Sequence, residues 1–175
     1  MRRAALLLVF ILAAGAAWIG WQRYGPHSPA PPMAPEAERI DHILIEKSAR
    51  RLTATLEGAV VMRTDIALGF APDGSKAREG DGKTPEGVFT INRRNPQSAF
   101  HLSLGIDYPK PEDIARAKAA GVNPGGDIFI HGQPNGVTAL TLPGDWTAGC
   151  IAVSNAEITR LWSLTPIGTT VEIRP

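Results

Sequence analysis

Residues 42–56 read His42-Ile43-Leu44-Ile45-Glu46-Lys47, then Ser48-Ala49-Arg50, then Arg51-Leu52-Thr53-Ala54-Thr55-Leu56. Two short aliphatic and β-branched runs parted by a polar break predict a pair of strands. Glu57-Gly58 then supplies a turn into a third run over 59–68, so the folded part opens as a β-meander.

Toward the C-terminus, a glycine-rich charged loop over 73–87 is followed by strand patterns at 88–91, 100–104 and 127–131, with a last one at 170–173. Two helices interrupt them. The first has Pro111 in its opening turn, Glu112 and Asp113 beside the positive end of the dipole, and Gly121 as its stop. The second begins with the capping box Ser154-Asn155-Ala156-Glu157 and carries Ile158, Leu161 and Trp162 at helical spacing. Many short strands with two short helices predict a mainly β architecture, a sandwich or partial barrel with helices at its margins. Residues 39–175 are enough chain to bury about two thirds of the unfolded surface without a disulfide.

Toward the N-terminus, Met1-Arg2-Arg3 precedes an uncharged apolar stretch from Ala4 to Trp21, closed by Arg23. Cleavable signals have apolar regions of roughly 7–15 residues and a spanning helix wants about 20, so the stretch predicts a membrane helix acting as an uncleaved signal-anchor. The alternative is cleavage at Ala14-Gly15-Ala16, which leaves Trp18, Ile19 and Trp21 as an apolar stub. Arg2 and Arg3 keep the first end in the cytoplasm and send the remainder across the inner membrane, to a periplasmic or cell-wall-facing position. Residues 25–38 are rich in proline and predict an extended, semi-rigid spacer outside the packed structure. The chain thus divides into a signal-anchor at 1–24, a spacer at 25–38 and a folded domain at 39–175.

Lys and Arg number 18 against 17 Asp and Glu, with no basic tract, which excludes nucleic acid as a partner. One cysteine, no HExxH and no clustered carboxylates leave too few ligands for a metal, and no cofactor motif appears. No feature specifies an oligomeric state.

The chemistry gathers on Cys150, inside Thr147-Ala148-Gly149-Cys150-Ile151, and on His131, which ends the apolar run Ile128-Phe129-Ile130-His131-Gly132. An exported lone thiol is either a small buried apolar group, a partner for another chain, or a nucleophile. As a nucleophile it needs a base, and His131 is the candidate. The small residues Ala148 and Gly149 let a substrate backbone approach, while their amides and that of Cys150 can face a developing oxyanion. The Gly132 carbonyl can fix the imidazole tautomer, a role that needs no acidic side chain. Thr147 either steadies the nucleophile's loop by hydrogen bonding or is an ordinary turn hydroxyl. His101 shares a strand face with Ser103, lining either a cleft or a solvated sheet face. Lys76, Arg78, Lys83, Arg93 and Arg94 offer positive charge either to an anionic substrate or to solvent.

These residues resemble the L,D-transpeptidase signature of the YkuD-type catalytic domain: His131, fifteen residues (132–146), then Thr147 and Gly149-Cys150. Asp81-Gly82-Lys83-Thr84-Pro85-Glu86-Gly87-Val88-Phe89 is similar to the family's glycine-flanked Thr-Pro turn. The resemblance implies a YkuD-like β-rich fold, Cys150 as acyl-accepting nucleophile and His131 as base. The implied partners are peptidoglycan stem peptides, attacked at the L-centre of a diamino acid with release of a terminal D-residue. The thioester passes to an amine in a transpeptidase and to water in an L,D-carboxypeptidase or endopeptidase; a non-catalytic wall-binding module is the third reading. Two positions depart from the family pattern. Ala148 stands where a histidine is usual, and Ala152 where many members carry arginine or asparagine.

Overall fold

A computed structural model describes residues 2–24, 29–136 and 140–175, with side chains in the first helix described at 9–18, 20 and 21. That helix is α1 (Arg2–Tyr24), and the third strand's run is shorter than the sequence suggests. The strands of the folded domain are β1 (His42–Glu46), β2 (Arg51–Leu56), β3 (Ala59–Asp65), β4 (Gly87–Ser98), β5 (His101–Ile106), β6 (Phe129–His131), β7 (Ile151–Ala152) and β8 (Thr170–Arg174). Helix α2 (Pro111–Ala119) follows β5 and α3 (Asn155–Leu164) follows β7. Among the described residues no helix is long and apolar enough to cross a membrane.

The strands form one sheet in the order β3-β2-β1-β8-β4-β5-β6-β7, antiparallel except for β1 with β8 and β6 with β7. β4 makes it bend. Its first part, Gly87–Thr90, pairs with β8, while its later part, from Ile91 to Ser98, pairs with β5 through two register shifts. Bulges of this kind increase local twist. The sheet curls into a half-barrel, and its far ends touch where Ala67 and Ala152 exchange backbone hydrogen bonds, both 2.8 Å.

The core follows from the two-residue period of the strands. Ile43 and Ile45 on β1, Leu104 on β5, Ile130 on β6 and Ile151 on β7 are all sealed from solvent, under Ile158, Leu161 and Trp162 of α3. Each such side chain contributes about 1.5–3 kcal/mol. The capping box that starts α3 is formed: the Ser154 hydroxyl accepts from the Glu157 amide at 3.3 Å, and the Glu157 carboxylate accepts from the Ser154 amide at 2.9 Å.

Three expectations need correction. β4 runs for 12 residues rather than four, because Arg93 to Ser98 are ordered by pairing with β5, which a polar run does not announce. β7 is Ile151–Ala152, past Cys150 rather than a strand ending there; two residues become a strand only through β6 and Ala67. The described part of the spacer is packed on the domain. Trp162 donates from its indole nitrogen to the Pro31 carbonyl at 3.1 Å, the Ala34 amide donates to the Ser163 carbonyl at 2.8 Å, and a single 3-10 turn covers Glu36–Glu38. Prolines lack an amide donor, and α3 meets the segment with one donor, the Trp162 indole, and one acceptor, the Ser163 carbonyl. Residues 25–28 of the expected spacer lie outside the described residues.

Candidate functional site

β6 and β7 lie parallel, with Ile130 opposite Ile151 and His131 opposite Ala152. Both isoleucines are fully buried in the core, so the strand period puts Cys150 and His131 together on the other face. They are diagonal neighbours, a backbone spacing of about 7–8 Å that a ring and a thiol can bridge.

The imidazole is held on three sides. Its Nδ1 lies 2.7 Å from the Gly132 carbonyl oxygen. A carbonyl only accepts, so Nδ1 carries the proton and Nε2 presents the basic lone pair. The Phe100 ring stacks at 4.5 Å between centroids and the Trp146 ring meets it edge-on at 5.8 Å, leaving His131 only 4% exposed. Burial pushes the imidazole below its ordinary pKa, and the Gly132 carbonyl partly opposes this. Gly132 must itself be small, since a Cβ there would meet Asn155 Oδ1 at 2.5 Å and Ile158 at 3.0 Å.

The half-buried thiol donates to the Asp127 carbonyl at 3.4 Å. Burial pushes it up first of all; the Phe129 amide pulls the other way, the Asp127 charge adds to the rise, and the Lys76 charge opposes it. A raised thiol beside a lowered imidazole is a neutral pair at rest.

Thr147 ties the turn that presents the sulfur. Its hydroxyl donates to the Cys150 carbonyl at 2.7 Å and accepts from the Gly149 amide at 3.1 Å. That second bond corrects an expectation, because the Gly149 amide is already taken and is not available to an oxyanion. The amides of Ala148, which is exposed, and of Cys150 remain as candidates. Gly149 has φ +133° and a Cβ there would meet the Lys83 carbonyl oxygen at 2.6 Å, so only glycine fits. The glycine-rich loop thereby forms one wall of the site.

Side chains hold that wall in place. Lys47 donates to the Gly74 and Thr84 carbonyls and to Glu86, at 2.7, 3.3 and 2.6 Å, and the buried Thr84 hydroxyl accepts from the Gly69 amide at 3.2 Å. On the other side Asp145 accepts from the Leu68 amide at 2.8 Å and from Arg50 at 2.8 and 3.0 Å.

His101 meets α3. Its Nε2 lies 3.0 Å from the Thr159 hydroxyl of α3, so the ring braces a helix. Of the five basic residues singled out, Lys76 is buried on Asp81, Arg93 pairs with Asp127, and Arg94 stacks on Trp162 at 4.2 Å. Ala152 is buried and lines a cavity of about 480 Å³ with Arg50, Asp65, Asp145 and Glu157; neither Cys150 nor His131 borders it. Among the described residues no group of three His, Cys, Asp or Glu side chains can hold a metal.

Sequence reasoning missed the two aromatic walls. Trp146 stands immediately before the Thr147 turn, a readable signal, whereas Phe100 reaches His131 only through the antiparallel return of β5 beside β6. The Asp127 carbonyl carries no side-chain signature at all.

Residues 40–173 match the YkuD L,D-transpeptidase catalytic domain. Among solved structures, the fold is similar to the helical cell shape determining protein Pgp2 from Campylobacter jejuni, at 24% identity and TM-score 0.57, covering 81% of this chain and 52% of that one. It is similar to Bdellovibrio bacteriovorus Bd1075 at 24% identity and TM-score 0.56, covering 85% and 52%. It is also similar to the L,D-transpeptidase from Xylanimonas cellulosilytica at 20% identity and TM-score 0.50, covering 86% and 65%. The chain therefore spans about half the length of the first two. No curated protein matches it significantly.

Proposed function

Because the chain belongs to the YkuD L,D-transpeptidase catalytic domain family, we propose that it is a peptidoglycan L,D-transpeptidase in which Cys150 is the nucleophile. His131 Nε2 takes the thiol proton as sulfur attacks the carbonyl at the L-centre of a stem-peptide diamino acid. The Ala148 and Cys150 amides hold the resulting oxyanion. Collapse expels the terminal D-residue, whose amine takes the proton from Nε2 and leaves a Cys150 thioester. An acceptor amine attacks the thioester, gives a proton to His131, and the sulfur departs to recover it. The observation that carries the reading is the parallel register of β6 and β7, which brings base and nucleophile to one face while Gly132 fixes the tautomer.

One second reading stands on Ala152, the small residue opposite His131 where many members of the family carry arginine or asparagine, a change that alters how a substrate carboxylate is held. In it water takes the thioester, and the product is a trimmed stem. We also place the domain on the periplasmic side, tethered to the inner membrane through residues 4–21; the apolar run and Arg2-Arg3 support this.

The test incubates the full-length chain with a disaccharide tetrapeptide, with and without an amine acceptor. Release of a D-amino acid and an amide product supports transfer. Release with hydrolysis alone, even in excess amine, supports the second reading. A thiol that ignores substrate, iodoacetamide and β-lactams contradicts both, leaving a wall-binding module.

A further inference from the structure

The buried Thr147 is fixed through main chain and side chain alike. Its amide donates to the Leu68 carbonyl at 3.1 Å and its carbonyl accepts from the Phe70 amide at 2.9 Å. Its hydroxyl donates to the Cys150 carbonyl at 2.7 Å and accepts from the Gly149 amide at 3.1 Å. The last of these bonds takes an amide away from the sheet.

In the parallel pair β6 and β7 the Val153 amide donates to the His131 carbonyl at 2.9 Å, with Ile130 opposite Ile151. Such ladders repeat every two residues along each strand. Carried back toward the strand starts, from 153 to 149 and from 131 to 127, the same pattern would give the Gly149 amide to the Asp127 carbonyl. Thr147 holds that amide instead, and Gly149, at φ +133°, is turned out of the strand. Among the described residues no amide donates to the Asp127 carbonyl, and the Cys150 thiol takes the place, at 3.4 Å. Among the same residues no hydrogen bond joins the sulfur to His131, whose ring is bonded through Nδ1 to the Gly132 carbonyl. A carbonyl accepts from S–H and repels a thiolate, so a thiol bonded this way keeps its proton.

We propose that Thr147 is a positioning residue that parks the nucleophile: by drawing the Gly149 amide out of the ladder it leaves the Asp127 carbonyl to the Cys150 thiol, which must quit that carbonyl before His131 Nε2 can take its proton. The inference rests on the reading of Cys150 as nucleophile. On leaving, the S–H bond breaks, an N–H bond forms at Nε2, and the electron pair stays on sulfur; Thr147 makes and breaks no covalent bond. The charged and titratable groups about the sulfur are His131 of β6, Asp127 with its partner Arg93 of β4, and Lys76 of the glycine-rich loop with its partner Asp81. Substitution of Thr147 alters none of these charges.

Cys150 is the one cysteine of the chain, so the infrared S–H stretching band reports it alone. A hydrogen-bonded S–H absorbs at lower frequency than a free one. The test compares full-length wild type with Thr147→Val, which loses the hydroxyl, Thr147→Ser, which keeps it, and His131→Leu, which removes the imidazole. Wild type, Thr147→Ser and His131→Leu are expected to share one low-frequency band, and Thr147→Val to leave it. Iodoacetamide alkylation from about pH 6 to pH 10 gives a second readout, since thiolate is the reacting form. Thr147→Val should react about tenfold faster than wild type near neutrality, the equivalent of one pKa unit, and converge with it at the alkaline end, while Thr147→Ser follows wild type. A folded Thr147→Val with either the wild-type band or the wild-type curve overturns the proposal, and so does a Thr147→Ser that behaves like it. Should Thr147→Val not fold, His131→Leu decides: an unmoved band upholds the proposal, and a displaced one puts the resting thiol on the imidazole and overturns it. Neither readout needs a wall peptide, so a silent stem-peptide assay with this pattern intact strikes at the substrate, and the converse strikes at Thr147.

Discussion

In β1, β2 and β8 nearly every residue has a ladder partner, and the registers run unbroken from His42 opposite Thr55 to Glu46 opposite Arg51. At the other end of the sheet, β6 and β7 contribute three and two residues, and the connections around them are held by side chains bonded to backbone: Asp145 to Leu68, Thr147 to Cys150, Asp81 to the loop amides. A ladder fixes a strand but leaves its edges alike, whereas side-chain anchors can be placed one at a time around a reactive group. The regular half supplies stability, and the irregular half converts it into fixed positions for a thiol and an imidazole.

This contrast can be broken by substitution. Cys150→Ala in the irregular half is expected to abolish acyl transfer with no more than a small change in melting temperature. His131→Gln should lower kcat by about 10²–10⁴, the worth of a general base, again with little effect on folding. In the regular half the pattern should invert: Ile45→Ala removes a side chain with no exposure and should cost about 2–5 kcal/mol in denaturant unfolding, while kcat per folded molecule holds. A fall in kcat of the folded fraction of Ile45→Ala would show the halves to be coupled.

Two glycines sharpen the comparison. Gly149→Ala forces a side chain to φ +133° and onto the Lys83 carbonyl, so about 1–3 kcal/mol of strain and a large loss of rate are expected together. Gly58→Ala has φ +81° but open space around it, and should cost about 1 kcal/mol in stability and nothing in rate. Equal effects of the two on activity would remove the distinction.

The smallest effects lie in pH. The folded imidazole of His131 binds its proton less readily than the unfolded one, so its contribution is present above the ordinary value of 6.5 and lost as pH falls through the lower folded value. The Cys150 thiol is shifted the other way; its contribution is full below the ordinary 9.0 and lost as pH rises through the higher folded value. Chemical denaturation across pH should therefore give curves in which His131→Gln flattens the acid side relative to wild type and Cys150→Ala flattens the alkaline side. The acid limb of kcat/KM, which reports the free imidazole, should likewise fall below 6.5.

The same contrast explains what could be read from the sequence. β1, β2 and α3 announce themselves because their signals are local: alternating isoleucines, a two-residue turn, Ser154 with Glu157. The later part of β4 and the whole of β7 do not, since pairing with distant strands creates them. The proline-rich segment reads as free because its composition lacks large apolar groups, yet an indole and a backbone carbonyl on α3 seat it. Within the site, Cys150, His131, Gly132 and Thr147 were legible from residue type and spacing. The engagement of the Gly149 amide, the aromatic walls around His131 and the diversion of His101 to Thr159 were not, because each depends on where the turn folds back.

Intact mass measurement after brief exposure to a disaccharide tetrapeptide tests the central claim most directly. The account predicts an adduct equal in mass to the stem less its terminal D-residue, located on Cys150, slow to form in His131→Gln and missing in Cys150→Ala. An adduct at another residue, or unchanged turnover in Cys150→Ala, would contradict it.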